Sequence, residues 1–279
     1  MKVVKTIPEV DVVLDSQRKA GKAIAFVPTM GALHRGHTEL MSRANEENTC
    51  VVVSIFVNPT QFNNPNDLRK YPRTLEQDLK MCESVGVDLV FAPNVEEIYP
   101  EPDTRLFDFG NLDKVMEGVH RPGHFNGVAQ VVSKLFAIVN PSKAYFGQKD
   151  FQQLAIIRRM VSDLNMGVEI VSCPTVREDD GLAMSSRNTL LSHQQRQSAP
   201  LIAKTLFAAR NKRTVTNVKE TIDWVISEIN SDPLLRVEYF EIANAKTLEP
   251  VDDWNDAESV VGCIAVQVGE VRLIDNVLF

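Results

Sequence analysis

The chain has 279 residues, 44% of them hydrophobic and 24% charged, which suffices for a sizeable core in one large domain or two unequal ones and excludes a disordered chain. A formal net charge of −7 excludes the broad basic footprint that nucleic acid or an anionic membrane surface would need. Cys50, Cys82, Cys173 and Cys263 sit in apolar runs without a Cys-x-x-Cys pair, residues 1–5 lack the apolar core of a secretion signal, and no run of 18 apolar residues exists; buried reduced thiols in a cytoplasmic, non-membrane protein are expected.

Residues 8–20 carry a helical pattern that Gly21 ends before an apolar strand over residues 23–27. Pro28 is expected to close that strand, because it restricts its predecessor and offers no N–H to a ladder. In the following turn, Gly31 and Gly36 remove side chains where the backbone bends and something must come close. His34 and His37, three residues apart, address one side of a helical turn, and a helix N-terminus there suits phosphate. Alone, the pair is more simply a buried connection whose histidines cap or pack.

Leu40, Met41 and Ala44 mark an amphipathic helix over about residues 36–48, with Glu39, Arg43, Glu46 and Glu47 outward. The valine-rich residues 50–57 predict a strand covered on both faces. Residues 58–67 form a proline-punctuated loop at its carboxyl end, where open α/β sheets carry ligands. A helix is predicted over 75–85, a strand over 87–92, irregular chain over 93–110, a helix over 128–139, a strand over 143–146, a helix over 151–164 and a strand over 167–172. This alternation predicts an α/β fold with a doubly wound parallel sheet. From about Thr175 the order changes to helices over 193–211 and 218–230, then strands over 237–243, 260–268 and 271–274, the last two joined at Gly269-Glu270. A larger domain over 1–175 and a smaller α+β domain over 176–279 are therefore expected.

Four further loops hold polar residues that folding does not require: 58–61, 121–127, 147–153 and 179–188. Loops that follow parallel strands share the carboxyl edge of a sheet, so three of these can meet at one crevice. Lys149 offers a movable charge, Arg121 and Arg187 offer bidentate forks, and Ser185 and Ser186 offer hydroxyls, a set suited to anionic oxygens. Gln61 and Gln153 both donate and accept, as a ligand with hydroxyl and carboxylate groups requires. Singly, each has a plainer reading: Lys149 beside Asp150 as a capped helix start, Arg187 as a surface arginine, Asp179-Asp180-Gly181 as a turn. His120 and His124 lack the companions of a zinc site, and there is neither a Gly-x-Ser-x-Gly elbow nor a Walker loop. Phe26, Phe56, Phe136 and Phe146 are expected in the core.

Five blocks gather these residues: Pro28-Thr29-Met30-Gly31-Ala32-Leu33-His34-Arg35-Gly36-His37, Phe56-Val57-Asn58-Pro59-Thr60-Gln61-Phe62, Arg121-Pro122-Gly123-His124-Phe125, Lys149-Asp150-Phe151-Gln152-Gln153 and Met184-Ser185-Ser186-Arg187-Asn188. With these blocks in this order, the chain resembles the pantothenate synthetase (pantoate:β-alanine ligase) family along nearly its full length. His-x-Gly-His alone would indicate only the wider nucleotidylyltransferase superfamily.

The resemblance implies a Rossmann-like α/β enzyme, a cytoplasmic homodimer, that uses ATP and Mg²⁺ to condense pantoate with β-alanine through a pantoyl adenylate, releasing AMP and pyrophosphate. It implies no nucleic-acid or membrane partner. Carried over residue by residue, it makes His34, His37 and Lys149 catalytic. It places Pro28, Met30, Gly31, Gly36, Gly147, Val176, Met184, Ser185, Ser186 and Arg187 with those three at ATP, and Asp150 at the ribose. Met30, Asn58, Gln61, Arg121 and Gln153 are implied at pantoate, and no protein ligand for Mg²⁺ is implied. Residues 176–279 are expected to act as a lid and dimer partner. Gln148, where glutamate is common, and Thr60, where methionine is common, depart from the family pattern but preserve the neighbouring contact residues. Other readings are a nucleotidylyltransferase that stops at a nucleotide-bearing product, a nucleotide-binding regulatory module without turnover, and a tRNA-charging enzyme, which shares the His-x-Gly-His logic but would need a basic RNA-binding appendage that this acidic chain lacks.

Overall fold

The computed structural model describes all 279 residues, which divide into two compact units. The first comprises Met1–Phe109, Arg121–Gln148 and Gln153–Pro174; the second comprises Gly110–His120, Lys149–Gln152 and Thr175–Phe279. The second unit thus takes in two short stretches from earlier in the chain as well as its C-terminal third.

The chain runs β1 (Lys2–Val4), α1 (Ile7–Lys19), β2 (Ile24–Thr29), α2 (Arg35–Glu47), β3 (Cys50–Ile55), α3 (Pro65–Lys70), α4 (Leu75–Ser84), β4 (Leu89–Phe91), α5 (Val95–Ile98), α6 (Glu117–His120), α7 (His124–Val139), β5 (Lys143–Gly147), α8 (Phe151–Asp163) and β6 (Glu169–Cys173). Six strands form one parallel sheet in the order β1-β4-β3-β2-β5-β6. The sheet is wound outward in both directions from β2, so the strand order reverses between β2 and β5, and ligand crevices open at the carboxyl ends beside such a switch. The predicted doubly wound Rossmann-like sheet is the architecture observed.

Periodicity explains the elements. Leu40, Met41 and Ala44 form the buried stripe of α2 and pack on Val27, Val51 and Val53, each large side chain contributing about 2 kcal/mol. All but the last residue of β3 is buried, as a strand covered on both faces requires. The four cysteines are free and buried, and no helix is long and apolar enough to cross a membrane. Phe26, Phe56, Phe136 and Phe146 lie in the core.

Several boundaries differ from the predicted ones. Pro28 does not end β2 but pairs in register with Ser54. Its nitrogen is turned toward β5, whose pairing with β2 stops at Phe26, so no ladder bond is lost. The loop after β3 contains a 3₁₀ turn, Pro59–Gln61, and then α3, each opened by a proline behind an asparagine cap. Helix α7 starts four residues before the predicted point, because Gly123 at φ +80° turns the chain directly into it.

In the second unit, α9 (His193–Ser198), α10 (Leu201–Lys212) and α11 (Val218–Asn230) precede β7 (Leu235–Asn244), β8 (Val260–Val268) and β9 (Val271–Leu278). The strands make an antiparallel sheet in sequence order. Leu206, Val225 and Ile229 of the helices share a core with Phe240, Ile242, Ile264 and Val266. The single helix predicted over 193–211 is two, since Pro200 caps α10 and has no N–H to continue α9. β9 runs past its predicted end because the polar pair Asp275 and Asn276 continues the ladder, opposite Ile264 and Cys263.

Candidate active site

At the carboxyl end of β2 the chain bends sharply. Thr29 Oγ1 donates to Ser54 O at 2.7 Å and accepts from Gly31 N at 3.2 Å. Gly31 has φ +77°, and a Cβ there would lie 3.0 Å from Asp78 Oδ2, so the glycine is required twice over. The carboxylate of Asp78, 1% exposed, accepts from Ala32 N at 3.0 Å, Leu33 N at 2.8 Å and Thr74 Oγ1 at 3.2 Å. A buried charge is thereby matched by two main-chain donors of the turn. Pro28, Met30 and Gly36 of the expected nucleotide set lie in or beside this bend.

His34 is not a helical residue but the N-cap of α2, and with His37 at the third helical position it forms a reciprocal capping box. His34 Nδ1 accepts from Gly36 N at 3.1 Å, and His37 Nδ1 accepts from His34 N at 3.3 Å. An Nδ1 that accepts an amide N–H carries no proton, so each neutral ring holds its proton on Nε2. The rings lie 4.1 Å apart between centroids. The structural and the chemical reading of this pair are therefore compatible: one ring nitrogen holds the turn and the other is a donor.

At the carboxyl end of β3, Gln61 is 7% exposed and Asn58 1%. Asn58 Nδ2 donates to Gln61 Oε1 at 3.1 Å and to Gly127 O at 3.1 Å, while its Oδ1 accepts from Tyr99 OH at 3.0 Å and Thr60 Oγ1 at 3.1 Å. With its oxygen taken, Gln61 turns its Nε2 donor toward Met30, 3.1 Å from Sδ. Asn58 is thus committed to holding Gln61. Gly127 permits this packing, since a Cβ there would stand 2.5 Å from Thr60 O.

His124, 5% exposed, links the same turn to Arg121. Its Nε2 lies 3.2 Å from Arg121 Nη1 and its Nδ1 2.9 Å from Gln61 O. A guanidinium only donates and a carbonyl only accepts, so the ring is neutral with its proton on Nδ1. Opposite tautomers follow for the histidines of this unit: Nε2–H in His34 and His37, Nδ1–H in His124. Long-range nitrogen NMR of ¹⁵N-histidine protein reads this directly, and an Nδ1–H ring at His34 or His37 would contradict the capping geometry. Gly147 ends β5, and Gln153 is half-buried in the first turns of α8.

The remaining expected residues belong to the second unit. Lys149 is half-buried and Asp150 exposed, just before α8. The next residues are locked by Gln152, 4% exposed, which donates to Leu112 O at 2.7 Å and Val115 O at 2.9 Å and accepts from Glu117 N at 3.0 Å. Val176 and Met184 close a short hairpin through Met184 N to Val176 O at 3.0 Å. Ser185 then caps a 3₁₀ turn, accepting from Arg187 N at 3.3 Å, with Ser186 and Arg187 half-buried.

Asp78 and Tyr99 lie outside the stretches that the sequence singles out, and His124 lies within one of them without an assigned role. Asp78 left a trace, a carboxylate four residues before Cys82 on the buried stripe of α4. Burial raises the Tyr99 hydroxyl above its ordinary value, so Tyr99 stays a neutral donor to Asn58.

A family described as pantoate-beta-alanine ligase matches residues 2–278. The pantothenate synthetase of Phocaeicola vulgatus is 59% identical over 280 residues, covering 100% of this chain and 99% of that protein. The pantothenate synthetase of Acetivibrio thermocellus is 47% identical, with the same coverage of 100% and 99%. The crystal structure of pantothenate synthetase from Thermus thermophilus superposes with a TM-score of 0.93 at 46% identity, covering 99% of each chain. The pantoate-beta-alanine ligase of Francisella tularensis, solved with beta-gamma ATP and beta-alanine, gives a TM-score of 0.84 at 36% identity, covering 100% of this chain and 97% of that one.

Proposed function

From the premise that this chain belongs to the pantoate-beta-alanine ligase family, we infer that it condenses pantoate with β-alanine at the expense of ATP, and we propose that it does so through a pantoyl adenylate. A free carboxylate is a poor acyl donor, because an amine cannot expel oxide from it. In the proposed first step, a pantoate carboxylate oxygen attacks the α-phosphorus of ATP in line and pyrophosphate leaves. In the second, the amine of β-alanine attacks the acyl carbon, AMP leaves with the former carboxylate oxygen, and the ammonium proton is lost to solvent.

The observation that carries this reading is the histidine capping box at the sheet's switch point. Nδ1 of both rings accepts from the backbone, so each neutral ring carries its proton on Nε2, and that N–H is proposed as a donor to phosphate oxygens at a helix N-terminus. Neutral rings of this tautomer stabilise developing charge and are not the base that receives the amine's proton. Lys149, Ser185, Ser186 and Arg187 are proposed at the phosphates with Pro28, Met30, Gly31, Gly36, Gly147, Val176 and Met184 around the nucleotide and Asp150 at the ribose. Gln61, whose Nε2 is turned toward Met30, is proposed with Gln153, Met30 and Arg121 at pantoate. Asn58 serves that site through Gln61.

No group of three or more His, Cys, Asp or Glu side chains forms a metal cage. Mg²⁺ is proposed to be carried on the ATP phosphates, since that ion keeps water and phosphate ligands and takes few from protein; bound there, it would screen phosphate charge. Four buried thiols suit a reducing, cytoplasmic setting. A homodimer, and a lid role for residues 176–279, complete the proposal, and solution scattering with and without ATP and pantoate reads both. The chemistry is tested by exchange of labelled pyrophosphate into ATP. Exchange that requires pantoate but not β-alanine is expected; exchange absent without β-alanine would rule out the adenylate.

A further inference from the structure

Two segments of the second unit to which phosphate roles are assigned above are anchored on adjacent residues of one strand. Asn276 in β9, 6% exposed, donates from Nδ2 to Lys149 O at 2.9 Å. Its neighbour Asp275, 4% exposed, grips Arg177 as a fork, with Nη1 to Oδ2 at 2.7 Å and Nη2 to Oδ1 at 2.9 Å. Arg177 braces the hairpin that delivers residues 185–187. It bridges to Ala183 in that hairpin, donates to Gly181 O at 3.0 Å, and lays its guanidinium 4.7 Å from the Phe207 ring centroid.

Successive side chains of a strand leave opposite faces, so neighbours can hold segments on the two sides of a sheet. Asp275 shares its face with Leu273 and Val277, which join the core beneath α10 and α11. Asn276 takes the other face and reaches Lys149. The two are tied together as well, because Asp275 Oδ1 accepts from Asn276 N at 2.8 Å. A shift of β9 would therefore move the Lys149 backbone and the hairpin as one.

We propose that Asp275 and Asn276 are positioning residues for the adenylation step, Asn276 acting through Lys149 and Asp275 through Arg177 on residues 185–187. The inference rests on the phosphate roles assigned to Lys149 and Arg187. Neither Asp275 nor Asn276 touches a reacting atom. They set the places of groups that do, and small misplacements of such groups are costly in rate.

The test is a double-mutant cycle read by pantoate-dependent ATP–pyrophosphate exchange on the full chain. Asn276→Asp keeps the shape and replaces the donor by an acceptor facing a carbonyl. It should lower kcat about 10- to 100-fold while leaving KM for pantoate within about twofold. In a Lys149→Ala background the same change should cost nothing more, because the group it positions is gone. Arg177→Lys keeps the charge and loses the fork; its loss should vanish in an Arg187→Ala background. Additive losses in both cycles, or an unchanged kcat in Asn276→Asp and Asn276→Ala, would overturn the proposal. So would unfolding of both Asn276 variants in thermal melts, which would make the residue a stability element. Wild-type exchange in Lys149→Ala is a different result, one that removes the role assigned to Lys149 itself.

Discussion

Replacing His37 by alanine is expected to lower kcat for adenylation by about 10²- to 10³-fold, the usual cost of removing one donor aimed at developing charge. Two functions of this side chain separate on substitution. Its Nδ1 accepts from His34 N and completes the capping box, a structural service worth about 1 kcal/mol. Its Nε2–H is the donor proposed for phosphate. Asparagine at 37 keeps an acceptor close to the position of Nδ1 and has nothing at Nε2. His37→Asn should therefore melt close to wild type and still be as slow as His37→Ala. Measured by pyrophosphate exchange alongside thermal unfolding, a near-normal kcat in His37→Asn would take the ring out of the chemistry and leave it a cap.

A larger structural loss is expected from Asp78→Ala. The carboxylate accepts from two backbone N–H groups of the bend between β2 and α2 and from Thr74, with 1% of the residue exposed. Removing it strands the N–H groups of Ala32 and Leu33, at about 1–3 kcal/mol for each buried unpaired donor. A total of about 4 kcal/mol is expected, seen as a lower urea midpoint at constant slope. Catalysis should suffer as well, because the bend between β2 and α2 sets where Met30, His34 and His37 stand. A change below about 1 kcal/mol would mean that the turn holds its shape without Asp78. Asp78→Asn should fall between the two, since one amide oxygen can serve only part of the carboxylate's role and its NH₂ faces donors.

Both predictions concern one stretch of chain, and that stretch shows how the fold builds the site. β2 is a central strand between β3 and β5, and its carboxyl end sits at the switch in strand order. The bend that follows is held from below by Asp78 and from within by the two histidines. Beside it, Asn58 and His124 hold Gln61, and Tyr99 and Gly127 hold Asn58. His34, His37 and Gln61 are thus each held by hydrogen bonds within the first unit, the arrangement preorganisation demands.

Much of this was legible in the chain itself. The valine run of β3 and the Leu40-Met41-Ala44 stripe of α2 announce a buried strand and an amphipathic helix because side-chain burial repeats with the period of the backbone. The five blocks, with His34, His37, Gln61, Lys149 and Arg187 in them, pointed to an ATP-dependent ligase, which membership of the family bears out. Boundaries failed where the decisive partner was remote: Pro28 continues β2 because β5 has already left its side.

The tertiary structure alone decided how the polar atoms of those residues are oriented. Whether His124 carries its proton on Nδ1 or Nε2, and whether Gln61 turns its oxygen or its nitrogen toward Met30, depends on partners that a local pattern does not contain. Asp78 meets the turn across 45 and 46 residues, and Asn276 meets Lys149 across 127. Local periodicity records which face of an element is buried. Hydrogen-bond direction is set only when strand register and helix packing bring donor and acceptor together, so the residue types were written in the sequence and their roles, as donor, cap or anchor, were assigned by the fold.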